Sequence, residues 1–329
     1  MNREFHFNTI YVLACEAGID EKTSSTIAGA SQFVDEAVFD LTFSLPDKEI
    51  NLVMTQTYEF WDETIQNQIY LPFHFIPGNT STPHAALRTN AVNRFCVIAN
   101  GTLAKETLIE CLEQRDPFLT GIALHGFADT WAHQYFTGKK EAWNSISSDS
   151  GLLARALGEP VGHMQCGNQP DICGLSWTDN RLKEPFVDNI MRFREAAKKI
   201  FRYLCIYNNK SFAFEDSILD RLCSMWKQPS DEERNADYVI NWSTPEWSYR
   251  RWFEEAGIGN SLPNTSSGLF DNFLNTKIKH KLEMVANRMH KTTVTCTNAF
   301  KCSKLYQWNQ AAHQYKTIVS KKLIREHLI

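Results

Sequence analysis

Three residues able to bind a cation recur at helical spacing in Leu124-His125-Gly126-Phe127-Ala128-Asp129-Thr130-Trp131-Ala132-His133-Gln134-Tyr135. His125, Asp129 and His133 lie four residues apart, so on a helix each is rotated only about 40° from the last. Two imidazoles and a carboxylate thus line one face. The other faces carry Leu124, Phe127, Ala128, Trp131 and Ala132, an apolar surface nearly all round, which predicts a buried helix. An unpaired carboxylate or imidazole away from water is costly, and imidazole nitrogen and carboxylate oxygen are both good ligands for Zn²⁺. A lone histidine on an apolar face is ordinarily a core residue bonded to a carbonyl. Three polar groups on one buried face point instead to a shared metal.

Five further residues join them as candidate ligands: His6, Asp35, His74, His163 and Asp171. The remaining histidines, His84, His280, His290, His313 and His327, lack comparable company, although His84 lies near enough to His74 to compete for its place. No His-Asp dipeptide occurs, which counts against a His-Asp-type phosphohydrolase.

The elements that must position these groups are mostly helical. Helices are predicted over 5–17, 22–39, 85–100, 103–114, 117–136, 186–204, 214–226, 269–290 and 305–328. Gly18 supplies a stop for the first. Ile50 to Tyr58 is the best strand, half of a small β-hairpin near 42–58. Leu71-Pro72-Phe73-His74-Phe75-Ile76-Pro77-Gly78 is expected to be a loop folded inward. Residues 138–182 are rich in Gly, Ser, Asn and Pro, with one short helix near 152–157. So long an irregular stretch is usually functional, and it holds His163 and Asp171, with Trp143 and Trp177 expected to shape a pocket. Ser230-Asp231-Glu232-Glu233 and Ser243-Thr244-Pro245-Glu246 read as helix starts. The architecture expected is a mainly α, multi-helix bundle: a helical metal-binding domain over 1–257, a weak boundary between Gly257 and Gly268, and a basic helical C-terminal extension over 268–329.

A chain of 329 residues with 43% hydrophobic and 22% charged content has the profile of a globular protein with a large core. Nine cysteines without C-x-x-C pairing fit reduced thiols, and with no expected signal peptide a cytoplasmic location is expected. No run of eighteen apolar residues occurs, so no transmembrane segment is expected. Net charge is −4, but Lys277 to Ile329 carries eleven Lys and Arg against Glu283 and Glu326, or +9, leaving −13 for the rest. Such a basic segment suits nucleic acid or an anionic surface, or is simply a solvated helical face.

Ser31-Gln32-Phe33-Val34-Asp35, Pro72-Phe73-His74-Phe75-Ile76-Pro77-Gly78, the 124–134 segment, and Gly162-His163 followed by Pro170-Asp171 resemble the motifs of an uncharacterised bacterial domain-of-unknown-function family, over roughly residues 3–205. More distantly, the order His6, Asp35, His74, His125, Asp129, His133, His163, Asp171 is similar to the ligand order of the zinc-dependent phospholipases C and the single-strand-specific zinc nucleases. That resemblance implies a bundle like the phospholipase C fold, two or three Zn²⁺ (or Mn²⁺ or Fe²⁺) on these eight residues, and hydrolysis of a lipid or nucleotide phosphoester. Asp129 or Asp35 would bridge two ions and Asp35 would take the proton of the attacking water, with Thr130, Asn144 or backbone carbonyls orienting the histidines. The competing expectation is a non-catalytic helical interaction protein with a structural metal.

Overall fold

The computed structural model describes residues 1–57, 59–146, 159–259 and 292–329. Ten α-helices and five short strands are found among them, so the mainly α expectation holds. The expected helices at 152–157 and 269–290, and most of the expected boundary between Gly257 and Gly268, lie outside the described residues.

The centre is helix α5 (Pro117–Ala132), started by Asp116, whose carboxylate accepts from the Phe118 and Leu119 amides, with Pro117 at the first helical position. From Phe118 to Ala132 every residue is buried, as a helix apolar all round requires. Helix α2 (Glu21–Glu36), capped by Asp20, makes the most extensive contact with it. Gly121 permits this: a Cβ there would sit 2.2 Å from the Ile27 carbonyl oxygen and 2.7 Å from the Ala30 Cβ. Around this pair pack α1 (Ile10–Glu16), α4 (Thr102–Glu113), α6 (Asn189–Tyr207) and α10 (Lys304–Arg325). The stripe Leu305, Trp308, Ala312, Tyr315 and Val319 of α10 is buried in the same core as α2 and α5, with Trp308 edge-on to Phe33 at 4.5 Å. Helices α7 (Glu215–Trp226), α8 (Asp231–Trp242) and α9 (Tyr249–Glu255) close one side.

A hairpin forms between β1 (Leu41–Ser44) and β2 (Glu49–Asn51), with β5 (Thr292–Thr295) added parallel to β1. The second strand is much shorter than 50–58, because beyond Asn51 the backbone bonds helices instead. The Val53 amide donates to Asn309 Oδ1 at 2.7 Å, and Thr55 donates to the Ala37 and Val34 carbonyls. A second ribbon pairs β3 (Ser176–Thr178) with β4 (Phe186–Asp188), so helix α6 begins at Asn189 rather than at Phe186.

Four local expectations are corrected. The expected loop at 71–78 folds inward but is irregular only from Phe75 on: the short α3 (Glu63–Ile65) runs into a π-helix, Gln66–His74, closed where the Phe75 amide reaches back five residues to the Tyr70 carbonyl at 2.8 Å. A wide turn of this kind accommodates Pro72, which has no amide proton to place. A second π-helix, Glu4–Thr9, precedes α1, where only a regular helix was expected. Residues 85–100 form no helix. Their backbone is engaged elsewhere: Arg88 bonds the Arg181 carbonyl, and Val97 exchanges bonds with Phe136 and Tyr135. Ser243 ends α8 in the left-handed region (φ 52°) instead of starting a helix, whereas Ser230 caps α8 as expected, accepting from the Glu233 amide.

Candidate metal centre

All eight sequence-predicted residues converge. His6 comes from the first π-helix, Asp35 from the end of α2, His74 from the end of the second π-helix and His125 and Asp129 from α5. His133 terminates α5, and His163 and Asp171 flank two short 3₁₀ turns of the irregular segment. They fall into three groups that can each hold a metal ion: His6, His125 and Asp129; Asp35, His74 and His125; and His133, His163 and Asp171, with the donor atoms of each group within 4.8 Å of one another. His84 stands apart, packed on Tyr135 at 4.5 Å.

Backbone carbonyls fix four of the five imidazoles. His74 Nε2 donates to the Thr55 carbonyl (2.9 Å), and His125 Nδ1 donates to the Ser31 carbonyl (2.9 Å). His133 Nδ1 donates to the His74 carbonyl and His163 Nδ1 to the Gly167 carbonyl, each at 2.8 Å. A carbonyl only accepts, so each of these nitrogens carries a proton, and the ring in its neutral form presents a lone pair inward. The inward atoms then face other acceptors. His74 Nδ1 and His125 Nε2 are 3.2 Å apart, and both approach Asp129 Oδ2 (3.4 and 3.3 Å) and Asp35 Oδ1 (3.8 and 3.6 Å). His133 Nε2 and His163 Nε2 lie on the two oxygens of Asp171 at 3.1 and 3.3 Å. Lone pairs and carboxylates gathered this tightly form donor sets that could hold metal ions. This donor set fits a divalent metal, and ligand rings tied through their second nitrogen are the usual arrangement around one.

The electrostatics follow from burial and charge. Burial and the neighbouring His125 hold His6 well below the ordinary histidine range, and its Nδ1 has no hydrogen-bond partner among the described residues. Burial likewise lowers His163. Burial also opposes charge on His74, but its bond to Asp129 and the charge of Asp35 outweigh it and raise it. For Asp35 burial dominates and pushes the carboxyl up. For Asp129, burial is overcome by His133, the Met1 amine, His125 and His6, and the carboxyl is held well below the usual carboxylate range; Asp171 is held low in the same way by His163 and the amine.

The Met1 amine is a site group that sequence reasoning missed. It donates to Asp129 Oδ1 and lies 3.2 Å from Asp171 Oδ1, joining the groups. Burial opposes its charge, but Asp129, Asp171 and Asp35 raise it to about 11. The orienting groups also differ from expectation. Thr130 bonds the Phe127 carbonyl and the Asn100 amide, and Asn144 ties the turn at Thr137, so carbonyls rather than these side chains bond four of the five rings. Phe75 stacks on His133 at 4.5 Å, and Gly162 (φ +54°) lies against Phe75, where a Cβ would approach its ring to 2.3 Å.

The centre opens into a cavity of about 810 Å³ lined by Asp35, His74, Asp129, His133, His163 and Asp171. Its outer wall comes from α8 and residues 244–249, with Asn235, Tyr238, Thr244 and Tyr249. Trp143 and Trp177 do not line it. They sit in a separate apolar cluster, bonded to the Tyr135 carbonyl and to Asn189.

The sequence profile of DUF6765, a family of unknown function, matches residues 1–323. The chain belongs to this family. The match extends well past the 3–205 span expected from the motifs, and so takes in α7 to α10. No curated protein and no solved structure matches the chain, and a likeness to the phospholipases C is not shown. No helix among the described residues is long and apolar enough to cross a membrane, and all nine cysteines are free thiols.

Proposed function

We propose that this chain is a metal-dependent phosphoric-ester hydrolase acting at a two- or three-metal His/Asp centre. The observation that carries the proposal is the inward set of imidazole lone pairs and carboxylate oxygens, held by carbonyl bonds around a cavity. Five imidazoles with three carboxylates favour Zn²⁺, while Mn²⁺ or Fe²⁺ accept the same donors. The order of the eight residues along the chain, similar to that of zinc-dependent phospholipases C and nucleases, supports a phosphoester as substrate.

Two or three divalent ions bound here would supply a water acidified towards neutrality and offset the charge of a phosphate. Asp129 presents Oδ1 to His6 and Oδ2 to His74 and His125, which suits it to link two of the groups. Asp35 is the least enclosed of these carboxylates, 24% exposed against 1% for Asp129 and 15% for Asp171, and it faces the cavity. Raised by burial, it is the group suited to accept a proton from an attacking water. His74, His125, His133 and His163 would keep one orientation throughout, because a carbonyl bond already fixes each ring. A purely structural metal calls for a closed site, whereas this centre forms part of a cavity wall.

Metal analysis of the purified protein followed by a phosphodiesterase screen tests this reading. Two or three ions per chain and turnover of bis(p-nitrophenyl) phosphate are expected, with His125→Ala and Asp129→Ala losing both metal and activity. Full metal content in either variant would overturn the ligand assignment, and loaded protein inert towards every phosphoester would overturn the hydrolase reading.

A further inference from the structure

The cavity wall bears on what the ester carries besides its reacting phosphate, an inference that rests on the hydrolase reading. Among the described residues lining the cavity, Arg3 provides the only guanidinium or ammonium side chain. Against it stand Glu4, Glu36, Asp231 and Glu246. Arg234 serves both Glu4 and Asp231, and Arg251 pairs with Glu246 at 2.7 Å. Glu36 is held by Trp247 Nε1 (2.8 Å) and Gln32 (3.3 Å). Beyond the centre itself, the wall therefore carries no surplus of positive charge with which to meet further phosphates.

A nucleic-acid strand brings one negative charge per nucleotide, and proteins that bind it answer successive phosphates with Lys and Arg. None of the described residues of the basic C-terminal segment lines the cavity, and four of its described cations are matched within the chain: Lys301 with Asp47 (3.0 Å), Lys304 with Glu255 (3.3 Å), Lys322 with Glu110 and Arg325 with Glu106 (3.0 Å). What the wall offers instead is uncharged surface. Val38, Phe39, Tyr238, Val239 and Pro245 line it, and Val239 at the outer side is 58% exposed.

We infer that the substrate is a phosphoester bearing a single anionic phosphate joined to uncharged alcohol groups, and that nucleic-acid strands are excluded because the described wall holds too few cations to answer successive phosphates. The centre holds the one phosphate, and the apolar and neutral wall takes the alcohol portions.

The test uses the metal-loaded full chain with bis(p-nitrophenyl) phosphate and with a fluorescein-labelled oligothymidylate of about 12 nucleotides. Turnover and, separately, binding of the oligonucleotide by anisotropy are measured at low and high salt. The expected kcat/KM for the small diester exceeds that per bond of the oligonucleotide by at least about 100-fold, and oligonucleotide binding is weak. Glu246→Lys, a reversal at an exposed position, narrows that ratio by about tenfold or more. Equal or faster cleavage of the oligonucleotide, or tight binding that falls steeply with salt, overturns the inference. Loaded protein that cleaves neither compound sinks the hydrolase reading, and the anisotropy result still decides the exclusion of nucleic acid on its own.

Discussion

Asp129→Asn removes one charge at constant shape from the point where the three groups meet. In the wild-type chain the carboxylate, 1% exposed, touches the Met1 amine, His6 (3.1 Å), His125 (3.3 Å), His74 (3.4 Å) and His133 (3.7 Å). Removing one partner from a buried charge cluster costs about 3–5 kcal/mol. For a chain of this length each kcal/mol moves Tm by about 2 °C, so the metal-free variant should melt about 6–10 °C lower than metal-free wild type. The metal-loaded comparison should widen the gap. An ion present at about 1,000 times its Kd stabilises the wild type by about 4 kcal/mol, and an Asn that weakens binding by three orders of magnitude forfeits nearly all of it. Calorimetric melts with chelator and with Zn²⁺, alongside metal content by mass spectrometry, measure both parts. A variant that melts with wild type under chelator and carries the same number of ions would refute the view that Asp129 organises the centre.

Three further outcomes are expected. Gly162→Ala combines a left-handed φ with a clash against Phe75 and should cost about 2–5 kcal/mol in urea denaturation; tilting Phe75 off His133, it should also remove the ion of the His133, His163 and Asp171 group, so unchanged stoichiometry would contradict the stacking role. Arg234→Met leaves Glu4, buried and bonded at 3.0 Å, without its cation and should lower stability by about 3–5 kcal/mol, while a loss under 1 kcal/mol would mean that α8 is held mainly by packing. Burial pushes Glu36 from 4.5 up to about 7, so its carboxyl ionises in the unfolded chain first; stability is full below pH 4.5 and falls as pH rises to about 7, by up to about 3 kcal/mol, and Glu36→Gln should flatten that fall in pH-dependent denaturation of the metal-free protein. A wild-type profile flat between pH 4.5 and 7 would contradict it.

Much of the centre was legible because its chemistry lies in residue types at fixed offsets. His125, Asp129 and His133 announce one face of a buried helix, and the apolar stripe from Leu305 to Val319 announces a core helix just as directly. What escaped was set by the third dimension. Pro72 reads as a helix breaker, and only the wide turn that dispenses with its amide keeps residues 66–74 helical. Residues 85–100 have helix-compatible composition, yet their backbone partners lie at 135–136 and 181–183, far along the chain. The polar, tryptophan-rich segment after Gln228 carries no ligand, so nothing in its composition marks it as the outer wall. The Met1 amine belongs to the backbone and leaves no trace in side-chain spacing. The orienting carbonyls of Ser31, Thr55, His74 and Gly167 are equally invisible, since every residue has one.

Both π-helices end at or carry an imidazole of the centre, and each holds one residue more per turn than an α-helix would. Rewinding 66–74 as an ordinary α-helix, at about 100° per residue, would instead carry His74 to another face, away from Asp35 and His125. Tyr315, whose hydroxyl donates to the Pro72 carbonyl at 3.0 Å, braces the wider winding from the far end of the chain. Backbone winding is therefore as much a determinant of the centre as residue identity: the same ligands on regularly wound segments would point elsewhere.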